Sequence, residues 1–392
     1  MLRNPLYIYG DDEVKVPSHL NLGQFLVDIL WKFRNNVALT NASTHEQLTF
    51  GDMLKDSINI AISLSEMGIK RGDIIAICSE NRQEYFSAFV GILCTGATVT
   101  TANMAYTSDE LTHVLNISKP KLIFCSPLAY KTHVKTIRNI KFLKPIVFGK
   151  EKLPYVTSYE YLRRDRGVSK EHFEVKDVEG QTDTAVILYS SGTTGLPKGV
   201  MLTHMNIIIA TELPATTHPR ETILFITPWF HTMGVMGALR NFVQGSNLVY
   251  LPKFESDFYL QTIEKYKIEQ LVVVPPVLVA LSKVKSNYDV STVKLVYCGA
   301  APLRDDTIND FKKRFPNLKH VLQGYGMTES TLAITRDSYD TVHLAKAGGV
   351  GRIVPSCIVK IIDTESNKVL GPNQPGAICV KGPIVMKGYI NK

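Results

Sequence analysis

No apolar run in this sequence is long enough to cross a membrane as a helix. The most apolar stretch, LVVVPPVLVAL, has about half of the roughly 20 residues that a span requires and is interrupted by Pro275 and Pro276. The first residues, MLRNPLYIYGDDEVK, lack the apolar region of a signal peptide. The sequence therefore predicts no transmembrane segment.

The cysteines lack the close spacing of a metal site or a redox pair, since there is no CxxC and no accompanying histidine pattern. They are far apart and lie mostly in apolar runs: Cys78, Cys94, Cys125, Cys298, Cys357 and Cys379. We expect buried free thiols in a reducing compartment.

Basic charge is in excess but is not concentrated. The formal net charge is +8 and the pI is about 9.0, yet the Lys and Arg residues are scattered. The densest stretch, residues 131–152, is interleaved with apolar residues, which is typical of the solvated faces of buried elements. This distribution argues against a nucleic-acid partner and leaves only a weak attraction for anionic substrates.

Strand-like and helix-like segments alternate along most of the 392 residues. DIIAICS, ATVTTA and PKLIFCS read as strands separated by helices, one of which we expect to begin with Ser108 as its N-cap. This order predicts an α/β fold with two doubly wound βαβ subdomains and mostly parallel sheets. We place the first at residues 1–170, with an N-terminal extension, and the second at 171–336. Residues 337–392 are rich in short β-runs with glycine and proline and predict a small barrel-like subdomain.

The segment SSGTTGLPKG, residues 190–199, follows a buried strand and resembles a grip for polyphosphate. Glycines let backbone amides face a ligand, hydroxyl groups donate hydrogen bonds, and a lysine adds positive charge. The residues concerned are Ser190, Ser191, Gly192, Thr193, Thr194 and Lys198. The spacing departs from the Walker pattern, and Pro197 followed by a second strand predicts a hairpin. A flexible surface loop is the alternative.

Two motifs, YSSGTTGLPKGVMLTH and QGYGMTES, resemble the signature pair of the adenylate-forming superfamily, and more narrowly 4-coumarate:CoA ligases and beetle luciferases. The similarity extends from FRNNVALT to the last residue. It implies activation of a carboxylic acid by ATP and Mg²⁺ to an acyl-AMP, followed by transfer to coenzyme A. A carboxylate is already a nucleophile at neutral pH, so no Ser/His/Asp arrangement is required.

The resemblance also assigns roles to individual residues. It places Lys198, Thr328, Glu329 and His231 in catalysis, with Thr328 at the α-phosphate and Glu329 on the magnesium. A nucleotide-binding role falls to Gln323, Gly324, Tyr325, Gly299, Ala300 and Ala301, together with the phosphate loop. We expect the loops after strands 183–189, 293–298 and 320–323 to open at the carboxyl ends of one parallel sheet. Glu329 as a helix-start carboxylate, and Tyr325 and His231 as packing residues, are the alternatives.

The resemblance also implies an acid-binding site, made by the segment PWFHTMGV and by residues in and after QGYG. The predicted residues of this site are His231, Met233, Gly326, Leu332 and Ala333, with Trp229, Phe230, Val235 and Met236 as further candidates for the wall. Luciferases carry a small hydroxyl residue at the position of Leu332. The apolar side chain therefore favours a fatty or otherwise hydrophobic acid over luciferin.

The resemblance ends before the C-terminal lid of such enzymes, which carries the adenylation lysine and helps to form the CoA tunnel. We therefore expect these residues to be the large N-terminal portion of a longer enzyme, with weak activity alone and a peroxisomal or cytoplasmic location. A light-producing oxygenase acting on a luciferyl adenylate and a noncatalytic nucleotide or acyl binder remain open as alternatives.

Overall fold

The computed structural model describes residues 4–10, 14, 16–17, 19–151, 153–154, 156–190, 195–213, 222–338, 340–346 and 348–391. Within these residues the α-helices are α1 Leu22–Lys32, α2 Phe50–Glu66, α3 Glu84–Cys94, α4 Ser108–Ser118, α5 Pro127–Asn139, α6 Tyr159–Leu162, α7 His204–Glu212, α8 Thr232–Val243, α9 Ser256–Tyr266, α10 Pro275–Ser282 and α11 Asp305–Arg314. Short 3₁₀ helices span Lys170–His172, Thr328–Ser330 and Val342–Leu344.

The strands up to the middle of the chain are β1 Ile8–Tyr9, β2 Val37–Asn41, β3 Gln47–Thr49, β4 Ile74–Cys78, β5 Thr98–Ala102, β6 Leu122–Cys125, β7 Lys144–Val147, β8 Thr157–Ser158, β9 Thr184–Ser190 and β10 Lys198–Thr203. The later strands are β11 Ile223–Phe225, β12 Leu248–Tyr250, β13 Gln270–Val273, β14 Leu295–Cys298, β15 His320–Gln323, β16 Thr335–Arg336, β17 Arg352–Ile353, β18 Ile358–Ile362, β19 Ala377–Lys381 and β20 Gly388–Tyr389.

Two large, mostly parallel sheets confirm the predicted α/β class. An eight-stranded sheet has the order β20-β10-β9-β5-β4-β6-β7-β8, with antiparallel pairing only around β10. A seven-stranded sheet has the order β15-β14-β13-β11-β12-β2-β3, with β3 antiparallel at its edge. Chain order does not decide sheet membership. β2 and β3 belong to the seven-stranded sheet, which is otherwise formed by β11–β15, and β9 and β10 belong to the eight-stranded sheet with β4–β8. The division of the chain at residue 170 stays a prediction, and it does not coincide with sheet membership.

The residues after 336 form the expected short antiparallel strands. β18 pairs with β19 and also with β1 from the N-terminal segment, which gives a three-stranded sheet. The described strands of this sheet follow an open order rather than a closed barrel. β20 leaves this region and adds a strand to the eight-stranded sheet beside β10.

Helices and sheets stack in five layers with three apolar clusters between them. One cluster joins α1, α2, α3, α7 and α8 to the facing sides of both large sheets. A second lies between α4, α5 and the outer side of the eight-stranded sheet, and a third between α9, α10, α11 and the outer side of the seven-stranded sheet. Both large sheets are therefore buried on both faces, which explains why their strands read as continuous apolar runs.

One helix start differs from the sequence expectation. The N-cap of α4 is Thr107 rather than Ser108, and its hydroxyl accepts a hydrogen bond from the N–H of Glu110 while the Glu110 carboxylate accepts from the N–H of Thr107. This reciprocal capping box requires Ser or Thr three residues before Glu, a spacing that Thr107 has and Ser108 lacks.

The thiols behave as expected: all six cysteines are free and only Cys379 is more than slightly exposed. None of the helices in the described part of the chain is long and apolar enough to span a bilayer.

The buried His204 predicts a pH-dependent stability. Its ring is fully buried, Nδ1 accepts a hydrogen bond from the N–H of Leu22 at 3.1 Å, and burial lowers the pKa from 6.5 to about 4. Below pH 6.5 the unfolded chain binds a proton that the folded chain takes up only near pH 4. We therefore expect this group to reduce the free energy of unfolding by roughly 3 kcal/mol as the pH falls from 6.5 to 4.

Urea unfolding at several pH values tests this slope. His204→Gln should flatten the pH dependence over that interval, whereas His343→Gln, at an exposed position, should leave it unchanged. A slope that is the same in both variants would contradict the assignment to His204.

Candidate functional site

A cavity of about 410 Å³ lies between α8 and the inner face of the seven-stranded sheet. One wall is the face of α8 that repeats every three or four residues: Met233, Met236, Gly237, Arg240 and Gln244. The opposite wall takes alternate residues of β11 and β13 and of the loops that follow them: Ile223, Phe225, Thr227, Gln270, Val272 and Val274. One face of α8 and one face of the β11–β13 strands therefore enclose the cavity.

The cavity opens at the carboxyl ends of the strands. Pro228, His231, Ala300, Gly326 and Met327 line it there and are exposed. The structure brings ten of the predicted nucleotide, acid-binding and catalytic residues to the cavity lining: His231, Met233, Gly299, Ala300, Gly324, Tyr325, Gly326, Thr328, Leu332 and Ala333.

The mouth has an unusual backbone. Leu332 has φ of +100° and its neighbour Thr331 has φ of +50°, values that side-chain-bearing residues rarely adopt. Ala300 also has a positive φ, +71°. The Leu332 carbonyl lies so close to Gly326 that a Cβ there would be 1.6 Å from its oxygen. Strain of this kind is frequent at binding sites.

His231 occupies the N-cap position of α8 without capping it through its side chain. The residue is exposed at the mouth, but desolvation by the residues packed around its ring lowers the pKa of the imidazole. Because the His231 side chain does not cap α8, the first N–H groups of the helix can donate to a carboxylate or a phosphate oxygen at the mouth. Just behind, the Thr232 hydroxyl donates a hydrogen bond to the Thr328 hydroxyl at 3.0 Å.

The strands that flank the predicted phosphate loop, β9 and β10, pair antiparallel, as the predicted hairpin requires. Ser190 at the end of β9 lies opposite Lys198 at the start of β10. The Ser190 Oγ is buried and has no hydrogen-bond partner among the described residues. The carbonyl of Pro197 is 3.0 Å from Nε2 of His113, which fixes the returning arm. The predicted phosphate-binding residues Ser191, Gly192, Thr193 and Thr194 lie outside the described residues.

One expectation about this geometry is wrong. β9 belongs to the eight-stranded sheet, whereas β14 and β15 belong to the seven-stranded sheet. The three motif loops therefore do not share one parallel sheet. The strands β9 and β10, which flank the first of these loops, contact the 3₁₀ helix Thr328–Ser330 that follows β15.

A chain of contacts connects the hairpin to the cavity. Thr328 lines the cavity, and the neighbouring carboxylate of Glu329 accepts a hydrogen bond from the Tyr389 hydroxyl at 2.9 Å. The Tyr389 ring centroid is 5.6 Å from Nζ of Lys198. The N–H of Met386 also donates to the Glu329 carbonyl at 2.9 Å. Tyr389 of β20 thus lies next to both Glu329 and Lys198.

Several other predicted residues do not line the cavity. The Gln323 side chain instead accepts a hydrogen bond from the N–H of Leu303 at 3.2 Å, and Ala301 is exposed beside the mouth. Trp229 and Val235 were expected in the wall, but they are 0% and 1% exposed and pack into the apolar cluster behind it. Adjacent residues of a helix face in different directions, so Met233 and Met236 line the cavity together with His231, whereas Trp229 and Val235 do not.

Sequence reasoning missed a set of polar residues. Those on the cavity are Thr227, Thr232, Arg240, Asn241, Gln244, Gln270, Tyr297, Thr331 and Arg336, and Tyr389 lies beside Glu329. The helical spacing did contain one signal, because Arg240 is seven residues after Met233 and so lies on the same face of α8.

The carboxylate chemistry fits a magnesium ion brought by a nucleotide. Across the described ranges, no group of three or more His, Cys, Asp or Glu side chains is arranged to hold a metal. Mg²⁺ is usually bound through one or two carboxylates together with substrate phosphates and water. Glu329 beside the lysine-bearing hairpin therefore fits such an ion as a single protein ligand.

Comparisons with known proteins agree on one family. A family model described as AMP-binding enzyme matches residues 31–390. The chain is 34% identical over 371 residues to a luciferin 4-monooxygenase of Nipponoluciola cruciata, covering 91% of this chain and 66% of that protein. It is 33% identical to 4-coumarate--CoA ligase 1 of Petroselinum crispum, covering 97% of this chain and 71% of that protein.

The fold comparison gives the same picture. The structure of the luciferase-like enzyme from the nonluminescent mealworm Zophobas morio superposes with a TM-score of 0.90 at 26% identity, covering 98% of this chain and 91% of that chain. The chain spans about two thirds of the length of the curated relatives it matches.

Proposed function

The chain belongs to the AMP-binding enzyme family, and from that premise we propose that it binds MgATP and a carboxylic acid and takes part in forming an acyl-AMP, which the whole enzyme passes to coenzyme A. One observation supports the proposal most strongly. Residues predicted to bind the nucleotide and the acid line the mouth of one cavity, next to the hairpin that bears Lys198. A ligand spanning both would place an acid against a phosphate group.

The mouth suits the reacting groups. His231, Thr328 and the first N–H groups of α8 converge where the carboxylate and the α-phosphate would meet. Charge developing on the phosphate there would be stabilised by donors that the fold already holds in place. Gly299, Ala300 and Gly324 would lie along the adenine, because small residues leave room for a flat ring, and the Tyr325 ring would stand beside it.

The hairpin would take the remaining phosphates. Lys198 supplies positive charge, and the unpartnered hydroxyl of Ser190 is a further donor. Glu329 would hold the magnesium, which neutralises negative charge on the phosphates when bound. We propose phosphate contacts for Ser191, Gly192, Thr193 and Thr194 as well, on the basis of the sequence motif alone. The division of the chain into subdomains at residues 170 and 336 is likewise a proposal based on the sequence.

The acid proposed for the cavity is largely apolar. Phe225, Met233, Met236 and Val272 form its middle section, and the aliphatic side chain of Leu332 lies at the mouth. Binding of an apolar acid to this lining is favourable, because it removes apolar surface of the acid from water.

Acid-dependent exchange of labelled pyrophosphate into ATP tests the proposed activity across a panel of carboxylic acids. We expect at least one hydrophobic acid to support exchange. Because the chain spans about two thirds of its relatives, turnover by residues 1–392 is expected to be slow, and MgATP binding is measured separately by ligand-induced stabilisation. A chain that neither exchanges pyrophosphate nor binds MgATP would contradict the proposal.

Glu329→Gln is expected to weaken MgATP binding about tenfold. The amide oxygen can still accept from Tyr389, so the hydrogen bond is kept while the charge that attracts the metal is lost. Calorimetric titration with ATP in the presence and absence of Mg²⁺ measures the effect. Glu365→Gln, at an exposed position, is the matched control. Equal loss of affinity with and without Mg²⁺ would be inconsistent with a metal ligand.

A luciferase-type oxygenase is the second candidate, favoured by the 34% identity to a luciferin 4-monooxygenase. Photon counting after addition of luciferin, ATP and Mg²⁺ separates the two activities. We expect no light above background, because Leu332 places an aliphatic side chain where luciferases carry a small hydroxyl residue.

A further inference from the structure

The loop that joins β11 to α8 is held by a side chain from the other large sheet. It follows a strand of the seven-stranded sheet and ends with His231 at the start of α8. The amide nitrogen of Asn81 donates a hydrogen bond to the Thr227 carbonyl at 3.1 Å, and its amide oxygen accepts one from the N–H of Trp229 at 2.9 Å. One side chain therefore bonds the backbone of the loop on both sides of Pro228.

Two hydroxyl groups hold the next part of the same loop. Tyr85 of α3 donates to the carbonyl of Trp229 at 3.1 Å, and Thr101 of β5 donates to the carbonyl of Phe230 at 2.8 Å. Tyr85 is 0% exposed, Thr101 is 1% exposed and Asn81 is 3% exposed. Because these bonds are shielded from water, removing any of the three side chains leaves a buried backbone group unpaired.

The loop also packs tightly against the helix that follows it. The N–H of His231 donates to the Pro228 carbonyl at 3.1 Å. A Cβ at Gly234, in the first turn of α8, would lie 1.9 Å from the same carbonyl oxygen. Each carbonyl from Thr227 to Phe230 therefore accepts a hydrogen bond, which leaves the backbone of the loop little freedom to move.

The anchoring side chains come from the sheet that carries the phosphate hairpin. Asn81 follows β4, and Thr101 lies in β5, which pairs directly with β9, the first arm of the hairpin. The neighbouring Thr100 donates to the hydroxyl of Tyr189 in β9 at 3.0 Å. A hydrogen-bonded connection thus extends from the hairpin through β5 to the loop that bears His231.

We propose that Asn81 is a positioning residue which, with Thr101 and Tyr85, fixes the loop and so sets where His231 stands relative to the phosphate hairpin. The Asn81 side chain does not line the cavity, so it acts through the loop. Attack of a carboxylate on a phosphate requires in-line alignment, and a displacement of about 1 Å can cost about a hundredfold in rate. The inference rests on the proposed function and adds the residue that aligns its two halves.

Two ligands separate alignment from general loss of structure in Asn81→Ala. ATP with Mg²⁺ uses the nucleotide site alone, whereas decanoyl sulfamoyladenosine, an acyl-AMP analogue with a sulfamoyl group in place of the phosphate, spans both sites. Calorimetric titration of the intact 392-residue chain measures both affinities. We expect the affinity for the analogue to fall at least about tenfold and that for MgATP to change by less than about twofold.

Hydrogen–deuterium exchange measures the loop directly, without any ligand. In Asn81→Ala the amide N–H of Trp229 loses its acceptor, so a peptide containing residues 228–231 should exchange at least about tenfold faster. If Asn81→Ala does not fold, Thr101→Val removes only the hydroxyl that bonds the Phe230 carbonyl. This variant should change both the exchange and the analogue affinity in the same direction, by several-fold.

Asn21→Ala is the matched control. Asn21 is 6% exposed, donates to the Lys176 carbonyl at 3.0 Å and accepts from the N–H of Gly23 at 3.0 Å, so it combines the same two kinds of bond at a buried site that does not contact the loop. We expect a comparable loss of stability, with unchanged exchange of the loop and an unchanged ratio of analogue affinity to MgATP affinity.

The outcomes distinguish the inference from the proposed function. If the loop of Asn81→Ala exchanges no faster than that of the unsubstituted chain, the inference is overturned and the proposed function stands. Faster exchange with an unchanged affinity ratio also overturns it, since Asn81 then serves stability alone. If neither the analogue nor MgATP binds the unsubstituted chain, the proposed function fails and the inference fails with it.

Discussion

Gly326→Ala is expected to lower the free energy of unfolding by an amount on the order of 4 kcal/mol and to abolish ligand binding at the mouth of the cavity. A Cβ at this position would lie 1.6 Å from the carbonyl oxygen of Leu332 and 2.9 Å from Cα of Ala333. These are backbone atoms, so no rotation of a side chain can relieve the clash. The segment that carries Leu332 would have to move away, and with it the wall of the mouth.

Denaturant unfolding and MgATP-induced stabilisation measure the two effects. Gly371→Ala is the matched control, because a Cβ there meets only the end of the flexible Gln374 side chain at 3.7 Å. We expect a change within about 0.5 kcal/mol for the control. If Gly326→Ala kept both its stability and its MgATP response, the close approach to Leu332 would have no energetic consequence.

The elements of the fold were predictable because they depend on local sequence. Runs of β-branched and aromatic residues mark the strands of both large sheets, and helical periodicity marks the helices between them. Even the capping box of α4 is encoded locally in Thr107 and Glu110, although two neighbouring capping residues made the choice ambiguous.

Sheet membership was not predictable from those patterns. β9 and β14 are both mainly apolar and contain no exposed residue, so nothing local distinguishes a strand of one sheet from a strand of the other. The pairing of β2 with β12 joins residues about 200 positions apart and is decided by packing of the whole chain. For this reason the motif loops were wrongly placed on one sheet.

The two ends of the cavity also differ in how far the sequence predicts them. The mouth is built from glycine-rich and hydroxyl-rich motifs whose composition is rare enough to indicate a ligand. The buried end depends on Arg240 and Gln270, single polar residues inside apolar elements that are normally interpreted as exposed. The left-handed backbone of Leu332 had no signal either, since leucine seldom adopts it.

Trp229→Ala is expected to destabilise the protein by about 4 kcal/mol, because the tryptophan belongs to the core rather than to the cavity. Its side chain is 0% exposed, and its ring centroid lies 4.8 Å from that of Phe86 and 4.9 Å from that of Tyr250. The indole N–H has no partner among the described residues, so Trp229→Phe loses volume but no hydrogen bond and should cost considerably less.

The chain contains one other tryptophan, which supplies the control. Trp31 is 37% exposed and contacts the Arg34 guanidinium at 4.5 Å from its ring centroid, so Trp31→Ala should cost no more than about 1 kcal/mol. Denaturant unfolding compares the two variants, and acid affinity is measured for each under conditions where it is folded. Because Trp229 packs behind the wall, the acid affinity of folded Trp229→Phe should match that of the unsubstituted chain. A variant that kept its stability and lost acid affinity would instead place the indole ring in the cavity.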